Sequence, residues 1–101
     1  MNNLIYLYDL DCRYDRQKSF YGKARIFRND AGSIFLMSYS TIVAEVQDAT
    51  ITEDGRHHAI VYDWYSNTTS RHVNEFLRQH GFNAMNKKEM EGGARQWKQS
   101  M

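Results

Sequence analysis

The sequence is poor in the features that usually betray a function. It contains one cysteine, Cys12, so no internal disulfide can form, which suits a reducing cytosol. It contains no proline, which is unusual over 101 residues but points to no function. The formal net charge is only +1, which argues against a general nucleic-acid binder with its strong basic excess. The one compact apolar run near the start, Leu4–Tyr8, is interrupted by tyrosines and has no basic segment before it. It predicts neither a signal peptide nor a membrane span, and the chain is expected to be cytoplasmic. Gly92-Gly93 lacks the strand–loop–helix setting and the Lys-Ser/Thr pair of a phosphate loop.

What is present describes one small domain with an ordinary share of apolar residues. Aromatics are abundant, with seven Tyr, five Phe and two Trp, enough to serve both a core and a contact surface. Charge is unevenly spread. Arg13, Arg16, Lys18, Lys23, Arg25 and Arg28 are crowded against a single acid, Asp15, whereas Thr41–Asp63 is mainly acidic. A surface divided in this way can steer a charged partner, although solvation of exposed strand faces is the plainer explanation.

The patterning predicts an α+β fold: an antiparallel meander of four or five strands packed on one main helix in the C-terminal half. Leu4–Tyr8 reads as a strand buried on both faces. Ala24 and Ile26 alternate with Lys23, Arg25 and Phe27, and Asn29–Gly32 is a turn into a second strand, Ser33–Tyr39. Ile42–Val46 and His58–Tyr65 complete the sheet, the latter after a turn at Glu53–Arg56. The helix is expected over Thr69–His80, with Val73, Phe76, Leu77 and His80 on one stripe. Asn67, Thr68 and Thr69 are candidate N-caps, and Gly81 with Phe82 makes a Schellman end. The domain is expected over residues 1–82. Residues 83–101 are expected to form a weakly ordered tail or short helix, anchored at most by Met85, Met90 and Trp97.

No catalytic set emerges. Cys12 has no visible base, and the paired acids Asp9/Asp11 and Glu53/Asp54 fit turns and strand ends. His57, His58, His72 and Cys12 have no metal-ligand spacing; a zinc site assembled from them is geometrically conceivable and no more. No metal and no cofactor are therefore expected. The start of the helix, Thr68 to His72, collects hydroxyls, an arginine and a histidine around free backbone N–H groups, though capping accounts for most of them. The strip Arg13, Arg16, Lys18, Lys23, Arg25 and Arg28, with rings interleaved, could track a single strand of nucleic acid; the plainer reading is an edge strand protected by its charges.

YGKARI, SYSTIVAEV and WYSNTTSRHVNEFLRQHGF together resemble a family of short proteins carried by phages, plasmids and other bacterial mobile elements, over roughly residues 20–82. No activity comes with the resemblance, and no catalytic residue can be transferred. It implies a setting inside a bacterial host, where such proteins often act by binding host machinery. Anti-CRISPR proteins are the leading instance. The expected function is therefore a non-enzymatic protein-binding inhibitor, in its most specific form one that blocks a Cas nuclease. Expected interface residues are Tyr62, Trp64, Tyr65, Arg71, His72 and Arg78, since Tyr, Trp and Arg dominate interface energetics. A small nucleic-acid-binding accessory protein is the alternative, a zinc protein the third possibility, and a homodimer is permitted.

Overall fold

A computed structural model describes residues 3–99. Six strands form one sheet: β1 (Ile5–Asp9), β2 (Ala24–Arg28), β3 (Ile34–Ser38), β4 (Thr41–Gln47), β5 (Arg56–Val61) and β6 (Ala94–Gln99). Their order in the sheet is their order in the chain, and each pair is antiparallel. A single 3₁₀ turn, Ala49–Ile51, lies between β4 and β5. The main helix, α1 (Asn67–Gln79), follows β5, and a one-turn helix, α2 (Lys87–Met90), precedes β6. No helix among the described residues is long and apolar enough to cross a membrane.

Alternation in the strands decides which face is covered. Ala24, Ile26, Leu36, Ala44, Ala59 and Val61 all face inward and are nearly inaccessible. Val73, Phe76 and Leu77 of α1 complete this core, and Leu10 and Phe20 from the long first connection join it. Fully burying a side chain such as Phe76 contributes about 1.5–3 kcal/mol. The helix ends where its chemistry says it should. Gly81 has φ 79°, its N–H donates to the Arg78 carbonyl, and the Phe82 N–H reaches back to the Leu77 carbonyl at 2.8 Å. The start lies two residues earlier than expected, at Asn67 rather than Thr69. Ser66, rather than Asn67, Thr68 or Thr69, is the cap, its Oγ accepting from the Thr69 N–H at 3.0 Å.

Two expectations are corrected. The sheet has six strands because the segment after Phe82 forms the expected short helix, α2, and then a strand, β6, rather than a weakly ordered tail. Asn86 and Glu89 close a capping box on α2. Met85 and Met90 enter the core, and Gly92 and Gly93, at φ 78° and 94°, turn the chain into β6. Trp97 anchors that strand from outside, with the Arg56 guanidinium 4.0 Å from its ring centroid. Residues 100 and 101 of the expected tail lie outside the described range. The second correction concerns β1. It joins the sheet at an edge and is covered on neither face; Leu4, Ile5, Tyr6, Leu7 and Tyr8 are all exposed. A bulge between Tyr6 and Tyr8 shifts its register against β2.

Candidate functional site

Two tight turns and the first half of α1 enclose a pocket of about 190 Å³ lined by Gln17, Ser19, Phe20, Tyr21, Lys23, Tyr39, Thr68 and His72. Both turns carry an unusual residue. Between Phe20 and Lys23, whose N–H donates to the Phe20 carbonyl, the two central residues Tyr21 and Gly22 have φ 54° and 74°. In the β3–β4 hairpin the two-residue loop is Tyr39-Ser40, with Tyr39 at φ 57°. Such positions ordinarily take Gly or Asn. A non-glycine residue there costs on the order of 1–3 kcal/mol. The turns are tied together by the Tyr39 N–H donating to the Lys23 carbonyl at 2.7 Å. The tyrosine rings project at the mouth, Tyr21 73% and Tyr39 48% exposed.

The floor is a buried hydrogen-bonded chain. Thr69 and His72 sit one turn apart on the same side of α1. Ser38, at the end of β3, lies between them: its Oγ is 2.9 Å from Thr69 Oγ1 and 2.8 Å from His72 Nδ1. All three residues are buried. Phe20 packs edge-on against the imidazole at 4.5 Å between centroids, and Tyr39 lies at 5.9 Å. Burial holds the His72 pKa below its ordinary value, so the ring is neutral at pH 7. Ser38 and His72 have the atoms of a nucleophile and a base. Yet Ser38 is 2% exposed, its hydroxyl is engaged on both sides, and among the described residues no carboxylate hydrogen-bonds the ring. The arrangement suits a rigid floor better than a reactive centre.

The connection that brings Gln17, Ser19 and Phe20 to the pocket is clasped by α1. The buried carboxylate of Glu75 accepts the backbone N–H groups of Arg13, Tyr14 and Asp15 at 3.1, 2.9 and 2.8 Å. Beside it, Arg71 donates through Nε and Nη2 to Asp15 at 3.1 and 2.6 Å. That pairing is the main reason the Asp15 carboxyl titrates below the usual carboxylate range. Cys12, half-buried here, is not activated. Burial and the neighbouring carboxylates raise its pKa, outweighing Arg71.

The residues expected to form the interface do not form one patch. His72 lines the pocket, but Arg71 is committed to Asp15, and exposed Arg78 borders a separate shallow cleft with Arg71 and Glu75. The Tyr62 hydroxyl donates to Glu45 at 2.8 Å, and burial and Glu45 push its pKa up. Trp64 packs against the core beneath the Lys87 ammonium, 4.3 Å from the ring centroid; Tyr65 is exposed. The basic strip is divided as well. Arg13 belongs to the clasped connection and ion-pairs with Asp11, and Arg16 and Lys18 are exposed further along it. Lys23 lines the pocket, Arg28 is exposed at the end of β2, and Arg25 lies on the sheet face away from α1, donating to the Tyr39 carbonyl at 2.8 Å. The histidines are likewise dispersed. His57 pairs with Asp48, His58 with Asp54, and His72 with Ser38. Among the described residues no three His, Cys, Asp or Glu side chains converge on a possible ion position.

Two larger depressions lie elsewhere on the sheet, of about 370 and 310 Å³. Several of their polar side chains are already engaged, His58 with Asp54 and Arg95, and Lys98 with the His80 carbonyl. Tyr39 is not evident as a site residue from the sequence, and Tyr21 only as one of the rings interleaved in the basic strip, because a tyrosine at positive φ leaves no trace in hydropathy. The usable signals are the Tyr-Gly pair before β2 and the isolated Tyr between the serines that end β3. YGK, SYS and TTSRH, drawn from three separate stretches, meet at this pocket. A family model described as a family of unknown function (DUF8033) matches residues 8–92. No curated protein and no solved structure matches the chain.

Proposed function

The chain belongs to the family of unknown function DUF8033, and we propose that it is a non-enzymatic binding protein that docks a partner protein on the tyrosine-flanked pocket. The observation that carries this reading is the pair of exposed tyrosines held at φ 54° and 57° on either side of one cavity. Glycine would relieve both turns at little cost in buried packing, since Tyr21 is largely exposed and Tyr39 would give up chiefly its contact with the His72 ring. Backbone strain retained at two positions around one pocket points to a use for the rings themselves. Tyrosine also suits a docking surface, because it offers a large, stiff, amphipathic contact with little entropy to lose. The buried Ser38–Thr69–His72 chain and the Glu75 clasp supply the rigid support that such a surface needs.

The most specific form of this proposal is an inhibitor of a host defence protein such as a Cas nuclease. It is supported by the resemblance of the YGK, SYS and TTSRH stretches to mobile-element proteins. The test is a cleavage assay with a purified Cas effector and increasing amounts of the protein, run beside the Tyr21→Ala/Tyr39→Ala variant. Dose-dependent loss of cleavage that disappears in the variant is the expected result. Unimpaired cleavage, with no complex on size exclusion, removes the nuclease assignment. Capture of another partner equally by the wild type and the double variant removes the pocket from the reading altogether.

A further inference from the structure

The hydrogen bonds on the pocket floor determine which proton the pocket presents. Thr69 Oγ1, Ser38 Oγ and His72 Nδ1 form a chain of three polar atoms. In one direction Thr69 donates to Ser38 and Ser38 donates to Nδ1, so both hydroxyl protons are used. In the other direction Nδ1–H donates to Ser38 and Ser38 to Thr69, and the Thr69 proton has no acceptor, for Thr69 Oγ1 has no other partner among the described residues. Burying a hydroxyl proton without an acceptor is costly, so the first direction is favoured. Nδ1 is then an acceptor, and the proton of the neutral ring resides on Nε2. Nε2 makes no hydrogen bond within the described protein, yet no buried polar side-chain atom there lacks a partner. It is therefore the part of this 1%-exposed residue that reaches the pocket.

The other polar groups available to the pocket include more donors. Lys23 brings an ammonium. Thr68 is the second residue of α1, where a backbone N–H has no partner within the helix, and its N–H has no other partner among the described residues. Asp15, the carboxylate within electrostatic reach of the imidazole, is neutralised by its two bonds to Arg71. From this convergence of donors between two tyrosine rings, and resting on the proposed docking role of the pocket, we infer that it is a subsite for an acidic side chain of the partner protein, taking the carboxylate against His72 Nε2–H, Lys23 and the start of α1. A phosphate group would meet the same donors. The near-neutral total charge and the divided basic strip favour a protein acid over a nucleic-acid backbone.

Nitrogen-15 NMR of the full chain tests this inference without the partner. Two-bond correlations of the His72 ring report its tautomer. Titrations with acetate, inorganic phosphate and acetamide at constant ionic strength then report what the pocket takes. The expected result is the Nε2–H tautomer, with acetate shifting His72, Thr68 and Tyr39 and acetamide leaving them in place. Lys23→Gln, a substitution at an exposed position, should weaken the acetate response about threefold, the loss of one exposed charge contact. An Nδ1–H tautomer, or equal shifts with acetamide, would overturn the inference. Response to phosphate with none to acetate would overturn its assignment to a carboxylate. Because no partner takes part, such a failure leaves the docking reading to be decided separately by the Tyr21→Ala/Tyr39→Ala comparison.

Discussion

Glu75→Gln probes the clasp between α1 and the first connection with almost no change of shape. In the native protein one carboxylate oxygen accepts from the Tyr14 and Asp15 N–H groups at 2.9 and 2.8 Å. The other accepts from the Arg13 N–H at 3.1 Å and from Gln79 Nε2 at 2.6 Å. An amide has one oxygen to offer. Whichever pair it keeps, its NH₂ faces two donors on the other side. Hydrogen bonds to a charged acceptor contribute about 1.5–3 kcal/mol each. Losing two rigidly would cost about 3–6 kcal/mol, but Gln79 can swing into water and the loop can lift, so a loss of about 3 kcal/mol is expected. For a domain of this size each kcal/mol shifts the thermal midpoint by about 4–8 °C, which predicts a fall of at least ~12 °C. Circular dichroism against temperature measures that fall, and amide hydrogen exchange at Arg13, Tyr14 and Asp15 measures local opening. A midpoint within about 3 °C of wild type, together with unchanged exchange at those three amides, would refute the reasoning. The same variant should weaken partner binding, because the clasped connection carries Gln17, Ser19 and Phe20 to the pocket.

Three further outcomes follow from other parts of the molecule. Burial lowers the pKa of His72 and His80, so the unfolded chain takes up their protons first; their contribution is complete above about pH 6.5 and declines as pH falls below it, by at most about 1.4 kcal/mol per pH unit for each ring. Asp15, held low chiefly by Arg71, acts in the same direction near pH 4 and below, so urea midpoints should drop from pH 7.5 to 5 and drop again below 4, and a flat profile would contradict the burial of the two rings. Gly93→Ala places a methyl group 3.1 Å from the Tyr62 carbonyl oxygen at φ 94°, whereas Gly92→Ala at φ 78° meets no atom within 4 Å; both should destabilise, by about 1–3 kcal/mol for the strained backbone, with Gly93→Ala the worse in thermal melts. Ile5→Lys with Leu7→Lys puts charge on an edge that has none between Leu4 and Tyr8, and light scattering should show less concentration-dependent association than for the wild type.

Sequence patterns are legible where structure is decided locally. The end of α1 can be read from Gly81 and Phe82, because a Schellman turn involves only six consecutive residues. β2 and β3 can be read from alternation across a turn whose Asn29 side chain accepts the Ser33 N–H. β6 cannot. Its sequence, ARQWKQ, alternates long polar chains rather than apolar and polar ones, and it is held by pairing with β5 and by the Arg56–Trp97 stack, both supplied from about forty residues away. Leu4–Tyr8 shows the opposite failure. Its composition is that of a buried strand, but burial depends on what packs on it, and no strand lies beyond it in the sheet. Of the pocket, His72 and Lys23 stand out in the sequence, each for a different role. The network joining Ser38 to Thr69 and His72 spans more than thirty residues and forms only once the sheet and helix are packed.

The order of strands in the sheet also sets an order in time. A chain emerging from the ribosome can lay each new strand from β2 to β5 beside the one just made, with nothing to thread and little loop entropy to overcome. The bonds from α1 back to the first connection are different. Glu75 meets Arg13, Tyr14 and Asp15 across 62, 61 and 60 residues, and Gln79 reaches the Asp11 carbonyl across 68. The Glu75 bonds cannot form before most of the helix has been synthesised, nor that of Gln79 before all of it. Until then His72 has no floor to occupy and Phe20 no ring to pack against, so an unfinished chain has the tyrosines but not the pocket. Competence to bind is thereby tied to completion of α1, and truncated products arising upstream of it should be inert rather than partly active.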